Sequence, residues 1–266
     1  MIYLLDLFIK MKFILTVLLI SYGLSICDDV FYKHKFPEIF NNDKKLCKKY
    51  YFIAYNEDTL CPDFVSEFMT YERMKELQGG RKNFMLDDEL EDKQTSPNSK
   101  IFSSTINRGH LIPSYSSSWD KTNDSEWYYC YMMSNICPQY HKFNQIEWKN
   151  LENEIVTWIL QKEKSLYVIT GVIYKDRQYF KKKYGTGIPD YFFKIICDPT
   201  NKESVGFIGT NNNKLDGKTY EFHKVNDIME KLNINILEDC NNAIVNPEYW
   251  WKFNMTYDGS NIFPNQ

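Results

Sequence analysis

Two side chains near the middle of the sequence have the types that phosphate-ester hydrolysis requires. Arg108 and His110 stand two residues apart in the segment NRGHLIP at residues 107–113. An imidazole has an ordinary pKa near 6.5 and can act as a general base close to neutral pH. A guanidinium presents a planar fork of donors that fits a phosphate. The pair therefore predicts phosphodiester chemistry, although a hydrogen-bonded loop histidine is the alternative interpretation of His110 alone.

More polar residues follow about two dozen positions later. Asn135 lies in SNICPQ at residues 134–139, and Asn144 and Glu152 follow in the next segment. Asn135 is expected to order the site through hydrogen bonds to the backbone, and a purely structural turn residue is the alternative. Besides a base, phosphodiester hydrolysis needs a cation and further donors for the charge that develops on the phosphate.

Asn144 and Glu152 belong to an amphipathic helix predicted over residues 142–162. The helical spacing is carried by Phe143, Ile146, Leu151, Ile155, Trp158 and Ile159. Eight residues correspond to a rise of about 12 Å and an angular offset of about 80°. The two side chains can thus face one side without sharing one inner coordination shell. Because side chains lean toward the helix N-terminus, Glu152 is predicted to reach a metal-bound water or to hold the residues around Asn144 in place. The alternative interpretation is that Glu152 is a capping or surface residue.

These segments together resemble the DNA/RNA non-specific endonuclease family, the endonuclease G-like ββα-metal nucleases. The family pattern is D-R-G-H-x-x-P, then N-x-x-P-Q, then N-x-x-x-W-x-x-L-E. Residues 107–113, 135–139 and 144–152 supply each element in order. Residues 51–68, 167–171 and 189–196 resemble the flanking strands of the family, so that the resemblance covers residues 45–245.

The resemblance implies an α+β fold, with a mainly antiparallel sheet flanked by helices. It also implies metal-dependent cleavage of DNA and RNA with little sequence specificity and with 5′-phosphate products. Asn144 corresponds to the ligand of Mg²⁺, which Mn²⁺ can replace. His110 is the general base, and Arg108, Arg81, Glu152 and Asn135 complete the catalytic set. Arg81, in GRKNF at residues 80–84, corresponds to a second arginine of the family.

One departure concerns the first position of the histidine motif, where Asn107 replaces the family's aspartate. An amide still accepts a hydrogen bond, but without charge assistance. We therefore keep a second hypothesis, a secreted nucleic-acid-binding relative whose catalysis is weakened or lost. Cys137 is a further departure, since it takes the place of a small polar residue.

The N-terminus has the pattern of a signal peptide. Lys10 and Lys12 precede an uncharged run over residues 13–27, which is short for a membrane span. We predict cleavage near residue 27, one domain over residues 28–266, and secretion. An uncleaved anchor and a mitochondrial targeting signal are the alternatives. Sequons at residues 123–125 and 254–256 fit a secretory, glycosylated protein.

Charge and cysteine content limit the kinds of partner and compartment. Removal of residues 1–27 leaves 30 basic and 34 acidic residues, so the mature chain has a net negative charge. Because nucleic acids are also negatively charged, contacts to them must be confined to local basic parts of the surface. Lys181 and Lys182, in a lysine run, are predicted to bind substrate phosphates, and a solvated loop is the alternative. Cys27 is expected to leave with the signal or to lie at its edge. Six cysteines then remain, an even number that predicts disulfides.

The rest of the sequence predicts several further elements. Strands are expected over residues 50–55, 165–173, 190–197 and 205–209. Residues 62–77 predict a strand that runs into a short helix, and residues 225–232 a helix. Residues 28–45 have the pattern of a polar lead-in, and residues 123–140 that of a strand or short helix that ends at Pro138. His34, His141 and His223 are interpreted as surface or packing residues, and Trp148 as core.

Overall fold

A computed structural model of the chain describes residues 27–34, 43–78, 80–90, 99–118, 126–176, 182–183, 185–214, 220–232, 234 and 240. Within this part of the chain, seven strands form one sheet in the order β1-β2-β3-β6-β9-β10-β11, and every neighbouring pair is antiparallel. The strands are β1 Asp43–Lys48, β2 Tyr51–Asn56, β3 Cys61–Met69, β6 Leu166–Ile173, β9 Tyr191–Asp198, β10 Glu203–Thr210 and β11 Tyr220–His223. The predicted α+β class with a mainly antiparallel sheet is confirmed.

Two two-stranded antiparallel sheets, called here the β4–β5 and β7–β8 hairpins, and four α-helices complete the described fold. β4 Ile106–His110 pairs with β5 Ile136–Tyr140, and β7 Lys182–Lys183 pairs with β8 Thr186–Gly187. The helices are α1 Tyr71–Lys75, α2 Glu126–Tyr129, α3 Lys149–Lys162 and α4 Val225–Leu232. Short 3-10 turns lie at Asp28–Val30, Tyr32–His34, Ser99–Ile101 and Met133–Asn135.

The central strands are buried on both faces, which explains why their sequences read as continuous apolar runs. On one face, Phe192 and Ile196 of β9 belong to the core cluster that includes Leu151 and Ile155 of α3. On the other face, Ile195 of β9 and Ile228 of α4 belong to a second cluster. The two-residue alternation of a strand therefore separates a face covered by α3 from a face covered by α4.

The helix predicted over residues 142–162 is present, but its start is not a regular α-helix. A π-helical turn spans Phe143–Trp148 and leads directly into α3. Because a π turn takes more residues than an α turn, the apolar period slips, and Ile146 is 43% exposed rather than buried with the core. Trp148 is buried against Phe143 and Phe192, as its interpretation as a core residue requires.

Two local predictions need correction. Residues 28–45 are not a polar lead-in throughout, because Val30 and Phe31 are buried in the second cluster and Asp43 begins β1. The element expected to end at Pro138 continues as β5 to Tyr140. Proline is tolerated there because the two-stranded hairpin leaves one side of the strand without ladder bonds.

The predicted disulfides are present, but they include Cys27. Cys27 bonds to Cys47 and Cys197 to Cys240, whereas Cys61, Cys130 and Cys137 are buried thiols. Cys27 therefore belongs to the folded domain and does not leave with the signal peptide, and of the six later cysteines Cys47, Cys197 and Cys240 are the ones in disulfides. Residues 1–26, both sequons and Lys181 lie outside the described residues, and for Lys182 the structure describes the backbone alone.

Candidate active site

A cavity of about 930 Å³ opens between the β4–β5 hairpin, α3 with its π-helical turn, and the sheet. Five of the six predicted catalytic and metal-binding residues line it, namely Arg81, Arg108, His110, Asn144 and Glu152. The sequence distances between them reach 71 positions, so that only the tertiary structure brings them together. Asn135 is the predicted catalytic residue that does not line this cavity.

The β4–β5 hairpin presents Arg108 and His110 to the cavity. The two residues are two positions apart on β4, and strand geometry places such residues on the same face. Gly109 between them is fixed by packing, because a Cβ there would lie 2.3 Å from the carboxamide of Gln139. Gln139 is itself buried on β5. The R-G-H order thus combines two side chains that face the cavity with one position that has no room for a side chain.

His110 lies in an aromatic environment that favours its neutral form. Its ring centroid lies 5.3 Å from that of Phe84 and 5.0 Å from that of Tyr131. Its Nε2 atom is shielded from solvent and has no hydrogen-bond partner within the described protein. Burial, and then the positive charge of Arg81, lower the pKa of His110 to about 4. A neutral imidazole with an unengaged nitrogen can accept a proton from a bound water.

Arg108 is held between two aromatic rings. Its guanidinium carbon lies 4.6 Å from the ring centroid of Phe102 and 5.3 Å from that of Phe84. Cation–π contacts of this kind restrict the long side chain while the edge of the guanidinium remains able to donate hydrogen bonds. The arrangement suits recognition of a phosphate in the cavity.

Asn135 anchors the chain that follows His110. Its Nδ2 donates to the carbonyl oxygens of Ile112 at 3.0 Å and Cys130 at 2.8 Å, and its Oδ1 accepts from the amide of Ile112 at 2.9 Å. Its side chain is fully buried. Asn135 therefore orders the loop that follows β4, as its predicted backbone-ordering role requires, and has no access to a substrate.

Asn144 and Glu152 lie on the same side of the helical segment. Asn144 belongs to the π-helical turn, a local geometry that is frequent at functional sites, and is half-buried at the cavity wall. The side chain of Glu152 on α3 is 20% exposed and faces the same space. This placement agrees with the shared side that the helical spacing predicted.

Sequence reasoning missed two charged residues at the cavity floor, Glu67 on β3 and Lys194 on β9. Burial raises the pKa of Glu67 to about 7, against the attraction of Lys194 and then Arg73. Burial likewise raises the pKa of Glu152 and lowers that of Lys194, while the attraction between these two groups opposes both shifts. The sequence signal that could have identified Lys194 is its position inside a strongly apolar strand, YFFKIIC at residues 191–197.

Asn107 pairs with a histidine that the sequence interpretation left aside. Its Oδ1 lies 3.2 Å from Nδ1 of His141, and both residues line the cavity mouth. The residue that replaces the family's aspartate is thus engaged with an exposed imidazole. The interpretation of His141 as only a surface residue is therefore incomplete.

Comparison with known proteins identifies relatives of this arrangement. A family model described as DNA/RNA non-specific endonuclease matches residues 28–243. A salivary endonuclease of Lutzomyia longipalpis is 30% identical over 115 residues, which cover 40% of this chain and 27% of that protein. Human mitochondrial endonuclease G is 27% identical over 158 residues, covering 55% of this chain and 52% of that protein. The match thus spans about half or less of these curated relatives.

A solved structure of the EndoG/EndoGI complex shows the same fold. It covers 79% of this chain and 90% of its own, with a TM-score of 0.63 and 19% sequence identity. The structural likeness therefore extends over most of the chain, beyond the segments with clear sequence identity.

Proposed function

Because the chain belongs to the DNA/RNA non-specific endonuclease family, we propose that it hydrolyses phosphodiester bonds in both DNA and RNA with little sequence preference. His110 serves as the general base, and a divalent cation, Mg²⁺ or in its place Mn²⁺, binds at Asn144. The single observation that carries this proposal is the cavity that His110, Arg108 and Asn144 share. Weak sequence preference follows when the contacts are made mainly to phosphates.

The residues of the cavity have complementary roles in the proposed reaction. His110 takes a proton from a water molecule, which attacks phosphorus in line with the leaving 3′ oxygen. Arg108, and Arg81 at the rim, offset the negative charge that accumulates on the phosphate. Asn135 keeps the loop after His110 in place through its three hydrogen bonds to the backbone.

The residues around Asn144 fit a magnesium ion. Mg²⁺ prefers oxygen ligands and often keeps several waters beside one or two protein ligands. The half-buried amide of Asn144 offers such an oxygen, and the carboxylate of Glu152 in the same cavity can accept hydrogen bonds from waters of hydration. When bound, the cation supplies charge stabilisation for the phosphate and the leaving oxygen. Among the described residues there is no cluster of three acidic, histidine or cysteine side chains that would hold a metal by itself.

We also propose that the protein is secreted. The disulfides Cys27–Cys47 and Cys197–Cys240 suit an oxidising compartment. Because Cys27 belongs to the folded domain, the proposed signal cleavage lies before this residue, not after it. No helix among the described residues has the length and apolar character needed to cross a membrane.

Lys181 and Lys182 remain candidates for contacts to substrate phosphates.

A weakened, nucleic-acid-binding relative is the second candidate function. The observation that favours it is the contact between Asn107 and His141. The amide of Asn107 is neutral, so this contact lacks the negative charge that the family's aspartate would supply. Asn107→Asp separates the two candidates, because an acid restores charge-assisted hydrogen bonding beside Arg108 and His110. For a weakened enzyme, the variant should cut faster than the wild-type chain. A chain that binds nucleic acid but does not cut it with either residue at position 107 would support the binding function.

The direct test is digestion of plasmid DNA and of an unstructured RNA by the mature chain. We expect cleavage of both polymers with Mg²⁺ and none with EDTA. His110→Ala should reduce the rate by about 10²- to 10⁴-fold, the usual contribution of a general base. His223→Ala is the matched control, since His223 lies on β11 and does not line the cavity. Equal cutting by the His110 variant would remove this residue from the mechanism.

A further inference from the structure

A row of polar residues crosses the face of the sheet beneath α3. Glu67 on β3, Thr170 on β6 and Lys194 on β9 lie on three neighbouring strands, and Thr170 is directly opposite Lys194 in the strand register. Their neighbours on this face are apolar, since Phe192 and Ile196 flank Lys194 in the core cluster. A lysine at this position is therefore exceptional on a face that otherwise packs against a helix.

The contacts of Lys194 fix its ammonium group at the cavity floor. The residue is fully buried, and Nζ donates to Oγ1 of Thr170 at 2.7 Å. Nζ also lies 3.6 Å from Oε1 of Glu152 and 5.2 Å from the ring centroid of Trp148. Since replacement of a buried ion pair by apolar residues is often neutral or stabilising, stability alone does not account for this lysine.

Two carboxylates face this one cation, and the structure distinguishes them. Glu152 makes the ion pair and has an exposed part that faces the cavity. Glu67 is 6% exposed, and its Oε1 has no hydrogen-bond partner within the described protein. Burial raises its pKa to about 7, so that about half of the Glu67 side chains are protonated at neutral pH. The charge of Lys194 is therefore directed mainly at Glu152.

We propose that Lys194 is a positioning residue, which holds the carboxylate of Glu152 in place at the cavity floor so that it can bind the waters of the proposed cation. The proposal rests on the proposed function, because Glu152 needs such an orientation only if a cation binds beside it. Lys194 itself does not touch the substrate. Groups that orient the surroundings of a metal in this way typically change metal affinity or activity about 10- to 100-fold.

A double-mutant cycle on the full mature chain tests the coupling of the two residues. The variants are Lys194→Met, Glu152→Gln and the two combined, and the probe is Mn²⁺ alone, with its affinity followed by electron paramagnetic resonance. Each single variant should weaken Mn²⁺ binding about tenfold or more. The double variant should be no weaker than Glu152→Gln, because Lys194 acts through Glu152. The rate at saturating DNA should show the same non-additive pattern.

Two controls separate positioning from folding. Lys48→Met removes another buried lysine, one that pairs with Asp87 at 2.9 Å outside the cavity, and should lower stability without a change in Mn²⁺ affinity. Thr170→Val removes the hydroxyl that accepts from Lys194, whereas Thr170→Ser keeps it. If Lys194→Met does not fold, this threonine pair replaces it in the test. We expect weaker Mn²⁺ binding for the valine variant and wild-type binding for the serine variant.

The outcomes distinguish this proposal from the proposed function. Folded Lys194→Met with wild-type Mn²⁺ affinity, or additive losses in the double variant, would overturn the role of Lys194 while nuclease activity stands. Equal Mn²⁺ affinities of Thr170→Val and Thr170→Ser would also overturn the role of Lys194. A wild-type chain that binds Mn²⁺ but cuts neither polymer would end the proposed function alone. A chain that binds no Mn²⁺ would end both.

Discussion

Gln139 occupies the space that a side chain at position 109 would need, with its carboxamide carbon 2.3 Å from where a Cβ of Gly109 would stand. This packing joins β4 to β5 at the point where Arg108 and His110 face the cavity. The glycine of the motif therefore serves the geometry of its two neighbours rather than the chemistry itself.

Gly109→Ala should disturb the hairpin that carries His110, the proposed base. Overpacking of a filled interior costs about 1–3 kcal/mol, so we expect a lower free energy of unfolding, measured in urea, together with a lower rate of DNA cleavage. The double variant Gly109→Ala/Gln139→Ala makes room for the methyl group and should recover part of both losses. No recovery in the double variant would show that the Gln139 contact is not the cause.

The acid limit of activity should reflect the lowered pKa of His110. In the proposed mechanism the neutral imidazole is the active form. Because the pKa of His110 lies at about 4, kcat/KM should stay constant well below pH 6 and fall only toward pH 4. Arg81→Gln removes a positive charge that contributes to the lowered pKa, and so should move the acid limb to higher pH. Arg81→Lys keeps the charge and should leave the limb in place. A wild-type limb near pH 6.5, or equal limbs in the two variants, would contradict this account.

Glu67 should make the protein less stable as the pH rises. Its folded-state pKa of about 7 exceeds the ordinary value of 4.5, so between these values the folded state holds the extra proton. The free energy of unfolding should therefore fall by about 3 kcal/mol from pH 4.5 to pH 7 on account of this group. Glu67→Gln should remove that part of the decline, as measured by urea unfolding at pH 5 and pH 8. Glu72→Gln, at an exposed site on α1, should unfold with the wild-type pH dependence.

Thiol titration of the denatured, unreduced protein should find three thiols per mature chain that begins at Cys27. Two disulfides, Cys27–Cys47 and Cys197–Cys240, account for the other four cysteines. From loop-closure entropy, Cys27–Cys47 should stabilise the fold by about 3 kcal/mol and Cys197–Cys240 by about 4 kcal/mol. Reduction of both disulfides should therefore lower the melting temperature markedly. Cys47→Ser and Cys240→Ser, made separately, should each expose one additional thiol. A titration that finds every cysteine reduced would favour the mitochondrial alternative over secretion.

Several features of this protein follow from its sequence because they depend on local pattern. Two-residue alternation and apolar runs located β2, β3, β6, β9 and β10, and helical spacing located α3. The spacing of Arg108, His110, Asn144 and Glu152 identified the family, and the structure brings these four side chains to one cavity. Asn107 was recognised as a departure, but its contact with His141 joins residues 34 positions apart and has no local signature.

The fold class, the family and the chemistry proposed for the R-G-H motif follow from the sequence, because residue types at short, regular spacing indicate them. The pairing of Cys27 with Cys47, the burial of Asn135 away from the cavity and the position of Lys194 beside Glu152 depend on tertiary packing. Burial accounts for this difference. Whether a cysteine forms a disulfide, an amide reaches substrate or a lysine stays solvated depends on what packs around it, and distant parts of the chain supply that packing.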